Sequence, residues 1–172
     1  MKSSNLFSFI LRVLGHSPRH AAHKPDAIAT PEPSGNFFPP EFKSFPFREG
    51  DLLCSQRASG RYVISKVLKV DKVHLRLGDK INIQSTVFTA TEPDFLLIIG
   101  SAYGEDEFDS VDAARQAALS GAWRVGYGHI PNRPSGAAAG QELIGHEPVR
   151  DDELEGYRLW RTEFDAGRAG IF

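Results

Sequence analysis

Apolar and polar residues alternate most regularly near the middle of the chain. Lys72-Val73-His74-Leu75-Arg76-Leu77 switches at every position, which places Val73, Leu75 and Leu77 on one face of a strand and Lys72, His74 and Arg76 on the other. Arg61-Tyr62-Val63-Ile64-Ser65-Lys66-Val67-Leu68-Lys69-Val70 is β-branched and aromatic, and it opens after Ala58-Ser59-Gly60, a turn sequence. It predicts a strand of its own. Ile81-Asn82-Ile83-Gln84-Ser85-Thr86-Val87 repeats the alternation after a turn at Gly78-Asp79-Lys80. Asp51 to Gln56 predicts a first strand, and the wholly apolar Phe95-Leu96-Leu97-Ile98-Ile99 a last one. Five short strands within residues 47–100 predict a small antiparallel barrel or a strongly bent sheet, because so small a sheet protects its edges best by closing. Its inward set is Leu52, Val63, Val73, Leu75, Leu77, Ile81, Ile83, Val87, Leu97 and Ile99.

The pattern changes after residue 100. Ser110 to Leu119 is helix-forming, with Asp109 or Ser110 as cap and Gly121 just beyond its end. A second helix is predicted from Asp151 or Asp152 to Phe164, carrying Leu154, Tyr157, Trp160 and Phe164 toward one side. Gly156 weakens it by about 1 kcal/mol relative to Ala. Between the helices, Trp123 to Pro131 and Gly136 to Gly145 are Gly-rich and read as irregular. At the other end, Leu6, Phe9, Ile10, Val13 and Leu14 recur at helical spacing and predict an amphipathic helix over residues 1–14. That run is too short to span a bilayer, so it docks on the core, in a partner's groove or on a membrane surface. Residues 15–46 form a Pro-rich linker, and Phe37, Phe38, Phe42, Phe45 and Phe47 at its end predict an ordered lead-in along the following domain. The expected architecture is α+β: a helix, a linker, and a single domain over 47–172 in which a five-stranded antiparallel sheet precedes a helical part.

Composition adds bounds. The 172 residues are 41% hydrophobic and 24% charged, as in an ordinary soluble domain, and 16 Gly with 11 Pro exclude a coiled coil. The net charge of -2 supplies no field that draws a protein onto nucleic acid or anionic lipid. Its distribution is uneven: residues 101–172 carry 7 basic and 13 acidic side chains, whereas residues 47–100 carry 8 and 6. The acidic groups cluster at Glu105-Asp106-Glu107-Phe108-Asp109 and Asp151-Asp152-Glu153-Leu154-Glu155, where the plainest role is that of solvated helix starts. A single cysteine, Cys54, excludes an internal disulfide and a Cys-rich zinc site, and it fits a cytoplasmic protein.

No stretch carries a catalytic signature. Cys54 sits mid-strand beside Leu52 and Leu53, where a small buried thiol is the usual occupant. Gly126-Tyr127-Gly128 lacks the third glycine of a phosphate-cradling loop, and Gly140 before Glu142 and Gly145 between it and His146 stand against a helix presenting both to a metal. His16, His20 and His23 fall at i, i+4 and i+7, but Pro18 and Pro25 oppose the helix that spacing requires. No catalytic residue, metal or cofactor is therefore assigned. An enzyme here would have to assemble its site by folding, with Cys54, His74, His129 and His146 as the groups to test. Nucleic-acid binding has the six basic side chains of residues 61–80 in its favour, but Tyr62 is the only ring among them and the acidic C-terminal part repels phosphate.

Phe47-Arg48-Glu49-Gly50-Asp51-Leu52, followed by Gly60-Arg61-Tyr62-Val63-Ile64-Ser65-Lys66-Val67-Leu68, resembles the opening of small-barrel immunity proteins from bacterial polymorphic-toxin systems, in which an aromatic, a Gly-Asp and a Gly-x-Tyr strand recur. The resemblance implies an SH3-like barrel and a non-enzymatic protein that binds and blocks a cognate toxin. Protein binding is the favoured class, with nucleic-acid binding and an enzyme as alternatives and membrane contact confined to the N-terminal helix. Exposed charge is expected to meet the partner, with Lys72, His74 and Arg76 on the wet strand face and Glu105 and Glu107 in the first acidic cluster as the binding candidates.

Overall fold

The computed structural model describes residues 35–172. The helix read over 1–14, the linker as far as residue 34, and His16, His20 and His23 lie outside the described residues. In chain order the elements are β1 (Asp51–Gln56), β2 (Tyr62–Leu75), β3 (Lys80–Ile83), β4 (Thr86–Thr89), β5 (Asp94–Gly104), α1 (Val111–Ser120), β6 (Val125–Asn132), α2 (Pro134–Ala138), β7 (Glu142–His146) and α3 (Glu155–Asp165). Short 3-10 turns occupy Pro40–Phe42 and Asp152–Leu154. Five strands form one antiparallel sheet in the order β6-β5-β2-β1-β7, and β3 pairs with β4 in a separate hairpin. The fold is α+β, with α3 as its C-terminal helix.

The sheet corrects the expected barrel in two ways. It does not close, since β6 and β7 each have a single neighbour, and its strands are not the five expected within 47–100. The two stretches read as strands over 61–70 and 72–77 are one, because nothing at Asp71 breaks an extended chain. A bulge at Leu68 absorbs the change of phase instead: Lys66 pairs with Ala102 and Val67 with Ser101, but Lys69 pairs with Gly100. That extra residue exchanges the parity of the strand, so Ile64 and Lys66 before it share a face with Asp71, Val73 and Leu75 after it. Conversely, the run read as one strand over 81–87 is a hairpin. Its two-residue loop, Gln84-Ser85, has φ of 48° and 67°, the left-handed pair a tight hairpin needs, without the Asn-Gly that normally announces it. The missing sheet strands, β6 and β7, come from the Gly-rich part read as irregular.

Both helices predicted in the C-terminal part form. Ser110 caps α1, its hydroxyl accepting from the Ala113 N–H at 3.1 Å, and Gly121 ends it at φ 69°. One face of the sheet carries α1 and α3. Leu52, Cys54, Ile64 and Ile144 pack there on Ala114, Ala117 and Ala118, while Val73, Leu75, Leu96 and Ile98 meet Trp160, Phe38, Ile81, Ile83 and Ile171. On the opposite face Leu53, Val67 and Ile99 are covered by Ala137 of α2 and by Phe45 and Phe47. The aromatics of residues 35–46 are thus packed, Phe38 at only 3% exposure and Phe37, Phe42 and Phe45 half-buried, while the prolines between them are exposed. The Phe38 N–H donates to Asp94 Oδ2 at 2.7 Å and Lys43 reaches Asp94 Oδ1 at 2.8 Å. Burial pushes the Asp94 carboxyl up, but Lys43 and the Phe38 and Phe95 N–H groups outweigh that and hold it below the usual carboxylate range.

Most of the expected inward set is buried; Leu97 is half-buried, and two residues are exposed. Leu77 is 70% exposed because β2 ends at Leu75 and the chain turns through Gly78 at φ 86°. Val87, 48% exposed, lies on β4, none of whose side chains is buried.

Candidate functional site

The basic candidates cluster around one ring. Lys72 and His74 pair across β2 and β5 with Leu97 and Phe95, on the face away from α1 and α3. Lys72 Nζ stands 4.1 Å from the Phe95 ring centroid, Lys43 Nζ 5.4 Å, and the His74 ring 6.2 Å. Such contacts orient the ammonium groups, although that of Lys43 is already paired with the buried Asp94 at 2.8 Å. Arg76 lies beyond the strand in the Gly78 turn, where its N–H donates to Asp79 Oδ2 at 2.8 Å.

The acidic candidates are elsewhere. Glu105 and Glu107 follow the end of β5, and Phe95 is at its start, so the two sets lie on the order of 30 Å apart at the rise of a strand. Glu105 pairs with Arg124 at 3.0 Å and Glu107 with Arg57 at 3.6 Å, while Asp106 takes both the N–H and the guanidinium of Arg124. The five expected binding residues therefore form two separate surfaces rather than one.

The groups named for an enzyme are dispersed as well. Cys54 is buried beneath α1, and burial, followed by the Glu142 charge, pushes its thiol up despite Arg115. His146 pairs through Nδ1 with Asp51 at 3.0 Å, and His74 faces Phe95. His129 is 7% exposed, packed on Tyr157 and Trp160, with no partner for its buried Nε2 among the described residues. Desolvation lowers its pKa to about 4, so at neutral pH the ring is uncharged.

Two polar clusters went unnoticed at the level of sequence. Lys66, 1% exposed, points from the middle of β2 into the segment before α3, where Nζ lies 2.9 Å from both Glu153 carboxylate oxygens, 3.3 Å from the Pro148 carbonyl and 3.4 Å from Glu147. Arg150 joins the same carboxylates, its N–H donating to Glu153 at 2.7 Å. Further along β2, Asp71 accepts from the Tyr157 hydroxyl at 2.9 Å and from Arg161 at 2.6 Å. Burial first, and then the Asp71 charge, push the Tyr157 hydroxyl up to about 12, so it stays a donor. These groups satisfy one another and clamp residues 146–165 onto the central strand. The available signal was parity: Lys66 alternates with Ile64 and Leu68, and a lysine on a buried face needs a carboxylate.

An open backbone edge remains. Val125 to Gly128 of β6 are all exposed, Val125 by 50% and Tyr127 by 44%, and among the described residues β6 hydrogen-bonds in the sheet only to β5. Toward its other end the same outer edge is occupied, since Phe172 N–H donates to the Pro131 carbonyl at 3.0 Å and its carbonyl accepts from Arg133 N–H at 2.7 Å. An exposed edge with apolar side chains invites another extended chain. Gly126 and Gly128 hid this strand from a reading based on turn residues, although Val125 and Tyr127 alternate correctly.

Among the described residues no helix is long and apolar enough to cross a membrane, and no three His, Cys, Asp or Glu side chains gather into a metal-binding group. Comparison with family models, with curated proteins and with solved structures finds no match to this chain.

Proposed function

We propose that this protein is a protein-binding module of the immunity type, which captures a partner protein and blocks it. The observation that carries the reading is the outer edge of β6, where Val125 and Tyr127 are exposed on a strand with one side unpaired in the sheet. The residues that resemble immunity proteins support it from another direction, since Phe47 to Leu52 lead into β1 and Gly60 to Leu68 into β2, two neighbouring strands of which β2 is the middle one of the sheet. A scaffold of this kind leaves recognition to its rim.

Co-expression with the product of each neighbouring reading frame tests the reading. The expected result is a stable complex at fixed stoichiometry, together with relief of any growth arrest that the partner causes alone. Absence of a complex with any of them, coupled with turnover of a small-molecule substrate by the purified chain, overturns it. Nucleic-acid binding is the second reading, favoured by the ring of Phe95 among Lys43, Lys72 and His74. It expects affinity for single strands that falls steeply with salt and falls again in Phe95→Ala.

A further inference from the structure

We infer that the partner is held by strand addition: an extended, lysine- or arginine-bearing segment of it pairs along the outer edge of β6 at Val125–His129. The inference rests on the protein-binding reading and specifies how that binding is made.

The backbone supports it first. Phe172 already pairs with the outer edge at Pro131 and Arg133, so this side of β6 is positioned to exchange main-chain hydrogen bonds. From Val125 to Gly128 the strand is exposed and takes no further strand from the described chain. Its register against β5 shifts between Ser101 and Tyr103 and again between Tyr103 and Gly104, so an arriving strand meets a bulged edge. Side chains do not obstruct an arriving strand, because Gly126 and Gly128 alternate with Val125 and Tyr127, and a Cβ built at Gly128 meets nothing within 4 Å. An apolar residue of the partner can then lie beside Tyr127, and a bulky one over Gly128.

Charge decides the class of partner. Glu105 and Asp106 flank the Val125 end, where the Cβ of Glu105 lies 2.9 Å from a Cβ built at Gly126. Glu155 adjoins Gly156, which packs against Gly128 and His129 at the other end. Among the described residues, Arg124 is shared between Glu105 and Asp106, and Arg158, beside Glu155, is paired with Asp151, so carboxylates outnumber cations along this rim. A basic strand gains from this field, whereas a second copy of the chain brings the same carboxylates to the same edge and is repelled.

The test uses the full chain and two capped heptapeptides, one alternating lysine with valine and the other glutamate with valine. Amide exchange and chemical shifts are followed by NMR as each is added to millimolar concentration. Strand addition expects the lysine peptide to protect amides within Val125–His129 and the glutamate peptide to leave them unchanged. Gly128→Arg is expected to weaken the lysine peptide about tenfold while Gly128→Glu, of comparable bulk, retains it. Protection elsewhere, no change at millimolar peptide, or equal effects of the two substitutions overturns the inference. Self-association that Gly128→Glu abolishes also overturns it, in favour of a second copy as occupant. If the co-expressed complex forms while its protected amides lie outside β6, strand addition fails and protein binding stands. If no complex forms, the protein-binding reading itself fails.

Discussion

Removing Glu153 is expected to destabilise the protein more than removing the lysine it neutralises. In Glu153→Ala the Lys66 ammonium, 1% exposed, keeps only the Pro148 carbonyl at 3.3 Å and Glu147 at 3.4 Å, and the latter carboxylate is 47% exposed and shared with Arg150. An uncompensated charge at such a depth costs about 3–5 kcal/mol. Lys66→Met is milder, because Glu153 is 17% exposed and keeps the Arg150 N–H at 2.7 Å and its guanidinium at 3.6 Å. A loss of about 1–2 kcal/mol follows, that of a charge-assisted hydrogen bond in partly wet surroundings. The double variant Lys66→Met with Glu153→Leu leaves no buried charge, and it should be more stable than Glu153→Ala alone. Urea unfolding at pH 7 reads all three: at slopes of roughly 1–3 kcal/mol/M, a 3 kcal/mol loss lowers the midpoint by about 1–3 M. A Glu153→Ala variant no less stable than Lys66→Met, or a double variant that is the least stable of the three, would refute this order.

Acid should weaken the fold through His129. Its pKa of about 4 in the folded chain, against 6.5 for an ordinary histidine, means the unfolded chain takes up the proton first. Stability contributed by the neutral ring is therefore complete above pH 6.5 and lost as pH falls toward 4, by about 3 kcal/mol in all, with no further change from this group below that. Urea titrations from pH 7 to 4 should show that slope, reduced in His129→Leu. Gly156→Ala should destabilise α3 despite the better helix former, by about 1–3 kcal/mol, because the new methyl meets His129 Cβ at 2.8 Å; a rise in melting temperature would contradict this. Deleting residues 1–46 should cost several kcal/mol more than deleting 1–34, since only the longer deletion removes Phe38 and strips Asp94 of Lys43, and melting curves of the two compare them directly.

Where local pattern and tertiary demand agreed, the sequence was sufficient. β1, the capped start of α1, the span of α3 up to Phe164 and the lead-in aromatics follow from alternation, capping and helical spacing. Where the fold used an unmarked device, sequence reasoning failed for a nameable reason. Gln84-Ser85 makes a left-handed turn without glycine, and Leu68 hides a bulge inside a uniform β-branched run. Gly126, Gly128 and Gly145 sit inside strands where glycine usually signals a turn. The candidate site fared worse. Lys72, His74, Glu105 and Glu107 are exposed or half-buried charges as expected, but their division between opposite ends of β5 depends on pairings that no single strand displays. The edge of β6 is defined by what does not pair with it, a property of the whole sheet rather than of any segment.

The cluster that joins Phe38 to Ile171 also sets an order of events during synthesis. One wall of that core is made at Phe38 and another at Ile171, with roughly 7–27 s between them at 5–20 residues per second. Until Ile171 emerges, Val73, Leu96 and Ile98 lack part of their cover, and the nascent chain presents a half-finished apolar surface for that whole interval. Non-local closure of this kind cannot be completed before Ile171 has been made, and it makes the growing chain a client for chaperones even though the folded protein buries the same residues.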